Sequence, residues 1–400
     1  MIACRRCPVR LRGRAGVVPH SSEAAPRHFP AAMVSASTTR YRPLVPPYNT
    51  CMNNETISQL DVQRFGPFDQ TYELTFAPSI NLIVGDNGTG KSQLLKLLYS
   101  CTAVMHDVAD DSELTKTNLQ KKLAAKIIGV FSPDSLGRLT NRQQGRAKAA
   151  IGVSYAGKGK PLQFSFATNS KTEVKVESMP ESRVEPTPVF LPSRELMSIF
   201  PGFVSLYDSR VTNFDETWRD TCNLLGMAPL RRTPGSDVDK ALQPIMTILG
   251  GKVEENNGRF YLHRDEGTFE MPLVAEGLRK LATIYRLVQS GVLLGSGFLF
   301  WDEPEANLNP ASQKAIVQTV IELAKAGVQV FMGTHSAFLL RQFDYESRNN
   351  ESMPALRYTA LHRDGTSIDI AQGESLDDFD EDYLQTLKAE YEQTALLLNE

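Results

Sequence analysis

Nowhere in the 400 residues is there an apolar run of the roughly 18 positions that a helix needs to cross a bilayer. A role embedded in a membrane through such helices is excluded. Charge excess is missing too: 46 Asp and Glu against 43 Lys and Arg leave a formal net charge of −3. Bulk charge therefore selects no particular partner. Cysteine is scarce, with Cys4, Cys7, Cys51, Cys101 and Cys222 the whole complement. An odd number without paired spacing gives no disulfide framework and points to a reducing, cytoplasmic setting. Cys4-x-x-Cys7 is half a zinc site, but no second ligand pair follows it. Sustained heptads and internal repeats are absent as well, which excludes a long coiled coil. Residues 1–51 hold no lysine and one acid, Glu23, against eight arginines and many prolines. They show no hydrophobic periodicity and no apolar h-region, so neither a fold nor secretion is expected of them. An organelle transit peptide fits this composition, and so does a disordered extension ahead of a start at Met52.

What is present is concentrated in three places. Gly85-Asp86-Asn87-Gly88-Thr89-Gly90-Lys91-Ser92 fits G-x-x-x-x-G-K-[ST]. The apolar run Ile80-Asn81-Leu82-Ile83-Val84 ahead of it reads as a buried strand. Ser92-Gln93-Leu94-Leu95-Lys96-Leu97-Leu98 behind it reads as a helix. In that setting the glycines let the backbone N–H groups curl around phosphates, and the helix N-terminus adds a favourable dipole. Lys91 is expected to reach the outer phosphates of ATP, and the Ser92 hydroxyl to ligate Mg²⁺.

Phe298-Leu299-Phe300-Trp301 forms a second buried strand and ends in Asp302-Glu303-Pro304. Strand ends of an open α/β sheet face the ligand crevice. Asp302 is thus a candidate for the Mg²⁺ shell, and Glu303 for polarising the attacking water. Val328-Gln329-Val330-Phe331-Met332 is a third apolar strand, and it delivers Thr334-His335-Ser336 to the same kind of place. His335 is expected to sense the γ-phosphate.

These residues resemble those of ABC-type ATPases. Asp302-Glu303-Pro304-Glu305-Ala306-Asn307-Leu308-Asn309-Pro310 looks like their Walker B and D-loop, and Thr334-His335-Ser336 like their switch histidine. Val274-Ala275-Glu276-Gly277 stands where they carry the signature motif, without its Ser hydroxyl, so that Gly277 and the helix N-terminus remain. Asn309 replaces the D-loop Asp and, with Pro310, also reads as an N-cap and N1 pair. Pro192-Ser193-Arg194-Glu195 occupies the place of the glutamine loop. There Arg194 or Glu195 either faces the nucleotide or makes a structural salt bridge. The resemblance is to soluble bacterial AAA/ABC-like ATPases related to the OLD and SMC/RecF groups, and it spans about 57–370. It favours a misassigned start, with Met52 the true one, or a disordered extension at 1–51. It implies an α/β fold: an ABC-type P-loop NTPase head with an antiparallel β lobe, a helical lobe and an α+β insertion.

The expected order is head residues 52–104, insertion 105–185, the rest of the head with its helical lobe at 186–373, and an acidic tail with a terminal helix at 374–400. Two strands, around 57–62 and 72–76, precede the P-loop, and Phe65 or Phe68 at their turn is either core or an adenine platform. The insertion holds a helix near 121–128 and a hairpin at 151–155 and 162–166. Thirteen Lys and Arg lie between 116 and 185, against five Asp and Glu. Lys121, Lys122, Lys126, Arg142, Arg146 and Lys148 then mark either a DNA or RNA backbone surface or a solvated face. A hairpin turns at Asn256-Asn257-Gly258.

The resemblance implies an ATP-hydrolysing enzyme in which Lys91, Glu303 and His335 of one subunit and Gly277 of the other share an ATP, closing a homodimer. The leading reading is a sensor or regulator of a separately encoded effector, such as a nuclease, in anti-phage defence. The alternatives are a RecF-like DNA-repair clamp and a low-turnover signalling switch.

Overall fold

The computed structural model describes residues 55–398, apart from 142–146, 210–211, 231–235 and 296. The expectations for residues 1–51 and for Arg142 and Arg146 lie outside the described residues. In chain order, β1 (Ile57–Phe65) and β2 (Phe68–Thr75) form the antiparallel hairpin expected ahead of the P-loop. β3 (Ile80–Gly85) and α1 (Lys91–His106) bracket the loop itself. Next come α2 (Lys116–Phe131), β4 (Lys148–Tyr155), β5 (Leu162–Ala167), β6 (Lys175–Ser178) and β7 (Thr187–Leu191). The helical stretch is α3 (Phe200–Asp208), α4 (Glu216–Leu225) and α5 (Asp237–Leu249). A three-stranded meander follows, β8 (Gly251–Asn256), β9 (Arg259–Arg264) and β10 (Gly267–Glu270). Asn257 and Gly258 turn its first hairpin with φ of 51° and 75°, the twist that two-residue hairpin turns need. The chain ends with α6 (Glu276–Gln289), β11 (Gly297–Asp302), α7 (Pro310–Lys325), β12 (Val328–Thr334), α8 (Ala337–Asn349), β13 (Leu356–Asp364), β14 (Ser367–Gly373) and α9 (Gln385–Leu398).

The central sheet runs β14-β13-β3-β12-β11-β7. All of its neighbours are parallel except the edge pair β13 and β14. Successive side chains on a strand point to opposite faces, and both faces of the inner strands are covered, so β3, β11 and β12 are largely apolar. Leu82, Val84, Leu299, Trp301, Val330 and Met332 enter a core with residues of α5, α6, α7 and α8. Ile83, Phe298, Phe300 and Phe331 enter a second core with α1, α2 and the antiparallel strands. Pairing of Val84 with Thr334, and of Asp302 with Gly333, brings three strand ends to one edge. That edge carries the site.

The strands within 105–185 join the sheet that β1 and β2 begin. β4 pairs with β1, Leu60 opposite Val153 and Gln63 opposite Ala150, and the antiparallel sheet runs β2-β1-β4-β5-β6. Period-two alternation announces strands but not their partners, and here the partner lies about ninety residues back. The side chain of Gln329 on β12 ties this sheet to the central one. Its Oε1 accepts from the Ile57 amide at 2.8 Å, and its Nε2 donates to the Ile57 and Ala77 carbonyls at 2.9 and 2.8 Å. Three buried backbone groups are thereby satisfied.

Candidate nucleotide-binding site

The P-loop takes its shape from glycines that no other residue replaces without strain. Gly85 has φ 148°, and a Cβ there would lie 2.3 Å from the Leu361 carbonyl oxygen. At Gly90, φ 108°, a Cβ would meet Pro67 and Phe68 at 2.8 Å. Gly88, φ 82°, has nothing within 4 Å on that side and leaves the tip of the cradle open. Asn87 is exposed at that tip, while Thr89 is buried and its hydroxyl donates to the Asp86 carbonyl at 2.8 Å. Lys91 is buried and folded back on the loop, with Nζ donating to the carbonyls of Gly85 at 2.7 Å and Asp86 at 2.9 Å. Burial lowers its pKa, against the pull of Glu303 and Asp302.

Two strand ends meet at the start of α1. The Ser92 hydroxyl donates to Asp302 Oδ1 at 2.9 Å. Burial raises the Asp302 carboxyl above its usual range, and the Ser92 hydrogen bond only partly offsets this. A buried carboxylate beside a hydroxyl, with an open phosphate cradle next to it, is a donor set that suits a hard divalent cation. Glu303 follows in a left-handed conformation, φ 46°, its amide donating to the Gly333 carbonyl at 2.9 Å. His335 places Nδ1 3.8 Å from Glu303 Oε1 and 3.4 Å from Glu305 Oε1. Lys91, Ser92, Asp302, Glu303 and His335 thus occupy one sheet edge.

The structure selects among the alternatives that the sequence left open. Gly277 is turned into its own chain: a Cβ there would lie 2.5 Å from the Asn307 carbonyl oxygen and 2.7 Å from Leu308 Cδ2. The glycine permits a close approach of α6 to the turn after Glu303, which the resemblance had not implied. Phe65 and Phe68 are fully buried, with ring partners Phe131, Phe166 and Tyr72, so neither is an adenine platform. Glu195 takes the salt-bridge role, 2.9 Å from Arg279 Nε, while Arg194 is exposed. Asn309 caps α7, its Oδ1 accepting from the Ser312 amide at 2.9 Å.

The basic stretch is largely consumed at home. Lys126 is buried between Glu216 at 3.0 Å and Asp220 at 2.5 Å. Lys158 is buried against Glu55 at 2.6 Å. Lys122 pairs with Glu113, and Lys148 with Glu177, at 3.5 and 3.2 Å, while Lys121 lies 4.0 Å from Glu173. Counting charges hides this, because composition carries no direction.

Two residues at the site escaped sequence reasoning. Glu305 is 8% exposed, and its Oε1 accepts from the Thr334 hydroxyl at 2.8 Å and the His335 amide at 3.0 Å. Lys280 is 4% exposed, and its Nζ donates to the carbonyls of Glu303 and Ala306, both at 3.0 Å. A signal for the second was there. Positions 277, 280, 281, 284, 285 and 288 share one face of α6, and all are buried; a lysine on such a face must find acceptors.

Residues 229–341 match the model of the family described as "AAA domain, putative AbiEii toxin, Type IV TA system". No curated protein matches the chain by sequence. Among solved structures, the chain is similar to an SMC head domain from Pyrococcus furiosus that carries an extended coiled coil and is bound to the C-terminal domain of ScpA. The TM-score is 0.50 at 10% identity, over 80% of this chain and 96% of that one. It also matches an SMC head domain from Thermotoga maritima with TM-score 0.41 and 12% identity, over 80% of this chain and 99% of that one. The first likeness shows the fold: α/β, of the kind seen in that SMC head domain. No helix among the described residues exceeds 16 residues or is long and apolar enough to cross a membrane.

Proposed function

We propose that the chain binds ATP with Mg²⁺ and hydrolyses it to ADP and phosphate. The observation that carries this reading is the 2.9 Å contact of Ser92 Oγ with Asp302 Oδ1, with Lys91 and Glu303 next to it in sequence. Ser92 and Asp302 are the residues to hold Mg²⁺, which neutralises and orients the outer phosphates. Lys91 exchanges the carbonyls of Gly85 and Asp86 for phosphate oxygens, while the backbone N–H groups of residues 85–92 enclose the phosphate chain. Glu303 accepts the proton of the attacking water as its oxygen bonds to the γ-phosphorus and the bridging oxygen leaves with ADP. His335 keeps Nδ1 toward Glu303 and Glu305 and presents Nε2 to the γ-phosphate, where it stabilises the charge of the transferring group.

A second copy fits the same reading. Leu273, 76% exposed, and exposed Ala275 lie just ahead of α6, a surface suited to burial in an interface. ATP held by one copy then meets the backbone N–H groups at 275–277 of the other, and hydrolysis reopens the homodimer. In the cell, we place the head in the cytoplasm as a sensor or regulator of a separately encoded effector, such as a nuclease, in anti-phage defence. The support is analogy with the fold and the toxin–antitoxin wording of the matched family. A RecF-like clamp on DNA is weakened by the inward-turned Lys126 and Lys158. A low-turnover switch remains distinguishable by rate alone.

Glu303→Gln tests the reading. The amide keeps the shape but accepts no proton, so ATP binding should persist, hydrolysis should stall, and mass in solution should shift toward dimer with ATP and Mg²⁺ but not with ADP. Wild-type turnover in this variant would remove Glu303 from the mechanism, and a wild-type protein that binds no ATP would end the proposal.

A further inference from the structure

The turn after β11 is held in an unusual way. Glu303 has φ 46° and Asn307 φ 64°, so two non-glycine residues within five adopt the left-handed region. Such a backbone persists only where its surroundings over-determine it. Three groups do so here: the Gly333 carbonyl accepts from the Glu303 amide, Lys280 Nζ donates to the carbonyls of Glu303 and Ala306, and Glu305 reaches from the turn to Thr334 and His335. Glu305 Oε2 and His335 Nδ1 are buried atoms with no hydrogen-bond partner among the described residues. With its Oε1 3.4 Å from Nδ1, the Glu305 carboxylate faces the ring as well as the backbone of His335.

We propose that Lys280 and Glu305 are positioning residues for ATP hydrolysis: Lys280, on α6, fixes the turn that aims Glu303, and Glu305 fixes the loop that aims His335. The inference rests on the reading of the site as an ATPase. Lys280 lies one helical turn after Gly277, so the N-terminus of α6 and the backbone of the proposed base move as one unit. A contact made at residues 275–277 is thereby transmitted to Glu303 through Lys280 and through the close packing of Gly277 on Asn307. Chemistry points the same way. A Leu or Met at position 280 would complete the apolar stripe without desolvating a charge. Position 280 carries a lysine although burial outweighs its attraction to Glu305, Glu276, Glu303 and Asp302 and draws its pKa down to about 8. Neither side chain needs to touch substrate. Each acts through a neighbour.

The test compares Lys280→Met, Glu305→Ala and Glu305→Gln with the wild type in steady-state ATP hydrolysis, ATP binding and thermal unfolding. Displacing a reacting group by about 1 Å costs on the order of 10²-fold in rate. Lys280→Met should therefore lose roughly 10- to 100-fold in kcat while ATP affinity stays within about threefold and Tm does not fall. The Met variant removes the buried ammonium, and Glu305 keeps its bonds from Thr334 and the His335 amide, so a stability loss is not the expected route to lost activity. Glu305→Ala should lose kcat similarly. Glu305→Gln, which keeps an acceptor for Thr334 and the His335 amide, should recover most of it. A wild-type kcat in Lys280→Met, or equal losses in the Ala and Gln variants, overturns the inference while leaving the ATPase reading intact. A wild-type protein that turns over no ATP overturns both.

Discussion

Gly277→Ala separates two reasons for a glycine at the start of α6. If the glycine served only to let a partner's phosphate approach, alanine would leave the isolated chain untouched. It would even help the helix, where alanine is preferred to glycine by about 1 kcal/mol. The packing says otherwise. The new methyl carbon would sit 2.5 Å from the Asn307 carbonyl oxygen and 2.7 Å from Leu308 Cδ2. The leucine tip can rotate away. The carbonyl cannot, because it belongs to the turn that Lys280 pins at Glu303 and Ala306. Overpacking of this kind costs roughly 1–3 kcal/mol. Set against the helix gain, the net loss should be about 0–2 kcal/mol, a drop in Tm of a few degrees at most. The turn must shift by several tenths of an ångström, and Glu303 shifts with it. Hydrolysis should therefore fall about tenfold or more. Thermal unfolding without nucleotide reads the first effect, and phosphate release at saturating ATP the second. A variant with unchanged Tm and unchanged kcat, impaired only in ATP-dependent association, would refute the apposition of α6 on the turn.

Two further outcomes follow from the same geometry. His335→Ala should leave ATP binding near the wild-type level and slow turnover by roughly 10²–10³, the usual cost of one lost charge-stabilising donor; unchanged turnover would make the histidine structural. Lys280 should make stability depend on pH in a defined window. Its folded pKa is drawn down to about 8 from 10.5, so between these values the unfolded chain holds more protons and stability rises with pH. The stability difference between wild type and Lys280→Met should therefore grow by about 3 kcal/mol in favour of the wild type across that range, as read by urea unfolding. A difference that does not change with pH would mean that Lys280 is not desolvated.

The features that short-range chemistry controls were legible in the amino-acid sequence alone. A P-loop needs glycines at set positions between a strand and a helix, and Gly85 and Gly90 stand where a Cβ would clash. The run 298–301 is apolar at every position, and 328–332 at every position but Gln329, because both faces of their sheet are covered, and carboxylates or His335 at their ends had to emerge at one edge. Asn309 capped its helix as expected, a bond between residues three apart. The tertiary structure decided everything that depends on direction and on distant partners. It paired β4 with β1 and so joined β4, β5 and β6 to the first hairpin in one antiparallel sheet. It turned Lys126 and Lys158 inward to acids 90 and 103 residues away in sequence, and buried Phe65 and Phe68. It faced Gly277 toward Asn307, and it wired Lys280 and Glu305 to the turn and the histidine loop. Periodicity reports which side chains share a face of one element. What that face meets is settled only when elements far apart in the chain pack together.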